Sequence, residues 1–114
     1  MSDLPEETIE TVFILQLRLL KIVNTATKSA FTIFEQFGET TETVPELDEL
    51  QNIKERATSY YTRLYRILLQ VFESQPTIPS ATLDVLVQSI AQIQAIADAC
   101  EASNREIQRN WNLL

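Results

Sequence analysis

Apolar positions are densest between Pro5 and Phe37, in the stretch IETVFILQLRLLKIVNTATKSAFTIFEQF. At heptad spacing, Ile9, Val12, Gln16, Leu19, Val23, Ala26, Ala30, Ile33 and Phe37 form one continuous seam, the repeat that keeps one stripe of a helix against a neighbour. Phe13, Leu17, Leu20, Asn24, Thr27, Phe31 and Phe34 form a second seam beside it, and Ile14, Leu15 and Ile22 fall outside both. The first half of this helix is therefore apolar almost all round, and such a helix has to be buried on more than one side. Two further helices in a short chain do not easily supply that cover. The pattern predicts a helical subunit that completes its core with a partner.

Two more helices follow. Thr43-Val44-Pro45-Glu46 fits a capping box, and Leu50, Ile53, Ala57, Tyr60, Leu64, Ile67 and Val71 continue as a seam, widened by Tyr61, Tyr65, Leu68, Leu69 and Phe72. Pro76 and Pro79 break the pattern, because a proline lacks the amide donor and disfavours helical geometry in the residue before it. Ser80 reads as the next N-cap. Leu83, Leu86, Ile90, Ile93, Ala97, Cys100, Asn104, Ile107, Trp111 and Leu114 make the third seam. Its one polar member, Asn104, either fixes register or marks looser packing towards the end. Gly38, just after Phe37, suits a left-handed helix stop. The expectation is an all-α protein: one domain over 1–114, with helices at 5–37, 44–73 and 81–111. Connections of about five residues make consecutive helices antiparallel.

Composition narrows the chemistry. Sixteen acids against nine bases give a net charge of −7, which disfavours a phosphate-tracking nucleic-acid binder. The acids of residues 35–49 read as a solvated loop and helix start more readily than as a docking segment. With one Cys there is no internal disulfide, and the opening SDLPEETIE has no basic, then apolar, leader. The run from Val12 to Val23 contains Gln16, Arg18 and Lys21 and is too short to span a bilayer. A soluble, intracellular protein is expected.

No catalytic, metal or cofactor site is expected. The chain has no His, one Gly and no CxxC pair, and a Ser or Cys nucleophile would lack an imidazole base. Cys100, on a seam, reads as a small buried residue. One enzyme reading was weighed: in an all-helical chorismate-mutase-like protein, Arg18, Lys21, Lys28, Arg63 and Arg66 could surround a dicarboxylate. The family's spacing of first-helix arginine with mid-chain lysine and glutamate is not matched.

Ile22 to Glu39, IVNTATKSAFTIFEQFGE, resembles part of the Mediator subunit 11 family. Tyr60 to Pro76, YYTRLYRILLQVFESQP, resembles that family's second helix and its exit, and Ile90 to Ser103 does so more faintly. The resemblance implies a non-catalytic subunit of the Mediator head module, nuclear and acting in RNA polymerase II initiation. Its first two helices would pair with two of subunit 22 in a four-helix bundle, and the remaining helix would contact other head subunits such as subunit 17. Other helical assembly subunits, of kinetochore or vesicle-tethering type, share the architecture. On either reading the expected interface comprises Phe13, Leu20, Val23, Phe31 and Phe34, then Tyr61, Leu64, Leu68 and Phe72, with Ile90 on the third helix. Nucleic acid, membrane and small-molecule substrates are not expected partners.

Overall fold

Helix ends set the frame. In the computed structural model, which describes residues 4–114, α1 (Glu6–Phe37), α2 (Thr43–Glu73) and α3 (Ser80–Asn110) each fall within one residue of the expected bounds. The first three positions of the expected 1–114 domain lie outside the described residues, and among those described there is no strand. Gly38 ends α1 at φ +69°, its N–H donating to Phe34 O at 2.8 Å. That positive φ is where glycine has no Cβ to strain.

Two caps differ from expectation. The capping box at α2 sits three residues earlier than Thr43-Val44-Pro45-Glu46. The Thr40 hydroxyl oxygen accepts from the Glu42 and Thr43 N–H groups, and Thr43 Oγ1 accepts from Thr40 N–H at 2.8 Å. Thr43 also donates to Gly38 O at 2.7 Å, tying the end of α1 to the start of α2. A threonine at the third helical position has taken the back-bonding role usually held by Glu or Gln. Glu46 is thereby released to accept from Trp111 Nε1 at 2.8 Å. At α3, Ser80 is not the N-cap. Pro79 precedes the helix in extended geometry, and its carbonyl accepts from Thr82 and Leu83, so Ser80 lies in the first turn.

The helices run up, down and up. Arg18 meets Asp98 and Glu101, Asn104 reaches Ile22, and Glu46 at the start of α2 meets Trp111 just after α3. Thus α1 and α3 are parallel, with α2 antiparallel to both. The rod measures 55 × 19 × 17 Å, as expected for helices of about 47 Å side by side.

The core is aliphatic. Val12, Leu15, Leu19, Ile22, Ala26 and Ile33 meet Leu50, Ile53, Ala57, Leu64, Ile67 and Val71, with Leu86, Ile93, Ala97, Cys100 and Ile107 closing the third side. Leu15 and Ile22, outside both heptad seams, are buried because α3 lies on that side of α1. Asn104 is buried at the same contact and donates through Nδ2 to Ile22 O at 3.2 Å, while its Oδ1 has no partner. A side chain bonded to one particular carbonyl of a neighbouring helix fixes their relative height, which favours the register reading of Asn104.

Candidate docking face

With α3 against one side of the α1/α2 hairpin, the opposite side is bare. The second seam of α1 lies there: Phe13, Leu17, Leu20, Phe31 and Phe34 are all exposed, Phe31 to 66% and Phe13 to 55%. Ile14 continues the apolar surface at its edge. Beside it, α2 presents half-buried Tyr61 with exposed Tyr65 and Phe72. Leu69 adds exposed apolar surface on the outer side of α2. At 1.5 Å per residue, Phe13 to Phe34 spans about 32 Å, the length of six helical turns.

Every phenylalanine of the chain (Phe13, Phe31, Phe34, Phe37 and Phe72) is at least 45% exposed, although the chain's core is otherwise fully apolar. Phe37 is partly engaged by Trp111, with ring centroids 5.2 Å apart and planes tilted by 59°. The other four have no such aromatic partner in the chain. Apolar patches of this extent on one face mark interaction surfaces, and aromatics are enriched at the cores of interfaces.

The expected interface residues divide into three groups. Phe13, Leu20, Phe31, Phe34 and Phe72 are exposed, and Val23 and Tyr61 are half-buried at the α1/α2 seam. Leu64 and Leu68 require correction: they are 0% and 8% exposed and belong to the chain's own core, because α3 supplies the cover that a partner was expected to give. Ile90 also lies apart, lining a groove between α1 and α3 with Thr8, Thr11 and Val87. Leu17 and Tyr65 belong to the face but not to the expected set; both sat on exposed-side heptad positions, which was their available signal.

Charge is arranged around the face rather than within a pocket. Arg18 turns away from it to Asp98 and Glu101, at 2.6 and 2.8 Å. Hydrogen bonds from Glu101 and then Asp98 hold the guanidinium even more firmly protonated than usual. Lys21 and Lys28 remain exposed along the outer edge of the α1 seam. Arg63 lies in a different groove, between α2 and α3, with Arg56, Glu49 and Glu55. The cations weighed for a dicarboxylate site are therefore spread over different faces. Burial pushes the Cys100 thiol up from its ordinary range, so its reactive thiolate is disfavoured. Among the described residues no group of His, Cys, Asp and Glu could hold a metal ion, and no helix is long and apolar enough to cross a membrane.

Comparisons with protein families, with curated proteins and with solved structures find no match for this chain.

Proposed function

We propose that this chain is a non-catalytic assembly subunit whose α1/α2 face receives helices of another protein. One observation carries the reading: the four phenylalanines Phe13, Phe31, Phe34 and Phe72 lie outside the core, on the side of the hairpin that α3 leaves bare. Fully burying a side chain of that size contributes about 1.5–3 kcal/mol, so leaving several in water on one face is costly unless the face is covered. Heptad spacing along α1 suits a helical occupant. A pair of antiparallel helices laid on α1 and α2 would make the four-helix bundle.

The finer reading is a subunit of the Mediator head module, paired with subunit 22 and in contact with subunit 17, working in the nucleus in RNA polymerase II initiation. It is supported by the resemblance of Ile22–Glu39 and Tyr60–Pro76 and by the bare face of the hairpin. The test is affinity purification of the tagged chain from its own cells, beside a Leu17→Arg variant. Recovery of Mediator head subunits that is lost in Leu17→Arg supports the reading. Specific recovery of kinetochore or vesicle-tethering subunits keeps the docking face and discards the Mediator assignment. If the recovered subunits are unaffected by Leu17→Arg, the face is not the interface.

A further inference from the structure

The bare face is banded, and its bands are level on both helices. Along α1 it reads Phe13, Leu17 and Leu20, then Asn24 and Thr27, then Phe31 and Phe34. The heptad row on the same side of α2, read backwards, is Phe72, Leu68, Tyr65 and Tyr61, then Thr58, Lys54 and Gln51, then Leu47. Because the hairpin turns at Gly38–Glu42 and both helices rise equally per residue, Leu20 stands level with Tyr61, Thr27 with Lys54 and Phe34 with Leu47. The result is an apolar band at each end and a polar belt between them. Thr27 and Thr62, in and beside the belt, donate to their own helix at Val23 O and Thr58 O, at 2.7 and 3.0 Å. They can be covered without leaving a donor unpaired.

The edges of the face carry opposite signs. Lys21 and Lys28 line the outer edge of α1; Asp48 and Glu55 line the outer edge of α2, and all four are exposed. Among the described residues neither lysine takes part in an ion pair.

We infer that this face docks a second copy of the chain about a two-fold axis running along the bundle. The inference rests on the docking reading above and names an occupant that needs no other protein. An isologous contact must match the face with itself. Two axes do so for the bands, one along the bundle and one across it, since the polar belt is central. Charge separates them. The axis along the bundle lays α1 over α2 of the second copy, so that Lys28 comes beside Glu55 of that copy and every band keeps its level. The axis across the bundle lays α1 on α1 and sets Lys21 against Lys28, basic edge on basic edge. A face about 32 Å long on a rod 19 Å wide would bury roughly 1,200 Å² over the two copies, the lower end for a specific interface. The dimer is therefore of modest affinity and is displaceable by a partner subunit that covers the same face.

Sedimentation equilibrium on the full chain tests this, with Leu17→Arg, Lys28→Glu, Glu55→Lys and the double reversal as variants at exposed positions. The wild type is expected to show a monomer–dimer equilibrium that Leu17→Arg weakens roughly thirtyfold or more. Each single reversal should weaken it about fivefold, and the double reversal should restore it. On the unaltered protein, a zero-length carbodiimide cross-link between ¹⁴N- and ¹⁵N-labelled copies should join Lys28 to Glu55. A wild type that stays monomeric at every concentration overturns the inference, as does a dimer indifferent to Leu17→Arg. A dimer strengthened by Lys28→Glu, or one whose amine-to-amine cross-links join Lys21 to Lys28, selects the other axis and also overturns it. If self-association is absent while Leu17→Arg still abolishes recovery of a partner subunit, only the second copy is excluded. If both are absent, the docking reading falls as well.

Discussion

Helix α1 has two seams of nearly equal hydrophobicity, and they have opposite fates. The inner one, Val12, Leu19, Ala26 and Ile33, is aliphatic, close to fully buried and shared with both other helices. The outer one, Phe13, Leu17, Leu20, Phe31 and Phe34, is bulkier and half or more exposed in most positions. Burial of apolar surface alone would put the phenylalanines inside. Close helix packing does the reverse, because small and aliphatic side chains let three helices approach while large rings project beyond their neighbours. A seam that exceeds what its own fold can cover is surface for another molecule.

If the inner seam makes the fold and the outer seam makes the contact, substitutions should separate stability from association. The largest effect is expected inside: Leu64→Ala should destabilise the chain by about 2–5 kcal/mol, read as a lowered midpoint in urea unfolding. Next come the outer positions. Phe31→Ser should change the stability of the monomer by no more than about 0.5 kcal/mol, since surface changes away from caps and buried contacts are nearly neutral. The same substitution should weaken association by about 2 kcal/mol, measured by titration calorimetry. Asn104→Ala removes the donor to Ile22 O together with the unpartnered Oδ1, for a loss of about 1 kcal/mol.

The smallest effects are electrostatic. Arg18→Gln breaks a partly exposed ion triad, and solvent screening limits the loss to about 1 kcal/mol or less. The buried Cys100 thiol has a raised pKa, so above the ordinary thiol value of about 8.5 the folded state holds a proton that the unfolded state releases. Its contribution is present below that pH and is lost as pH rises towards the folded-state pKa. Stability should fall between about pH 8.5 and 10 in the wild type and fall less in Cys100→Ala.

Periodicity located the three helices to within a residue because Gly38, Pro76 and Pro79 interrupt them chemically. It also separated the outer seam of α1 from the inner one. It misplaced Leu64 and Leu68 because a heptad row shows that a stripe is covered without showing by what, and α3 turned out to supply the cover. Leu15 and Ile22 were missed as core for a related reason: a helix with two neighbours buries a wider arc than one seam. The shift of the α2 cap to Thr40 could not be read from TTETVPE, where three threonines compete for one geometric role. The polar belt became visible only when the antiparallel register set Asn24 and Thr27 beside Thr58 and Lys54.

The contrast between the seams is tested most directly by one paired measurement: urea unfolding and sedimentation equilibrium on Leu17→Ser/Phe31→Ser beside wild type. The account predicts a variant whose unfolding free energy, compared as monomers, stays within about 1 kcal/mol of wild type while its association is lost. A variant that loses stability as a core substitution does, or that associates as tightly as wild type, would show that the outer seam is part of the fold and not a surface for a partner.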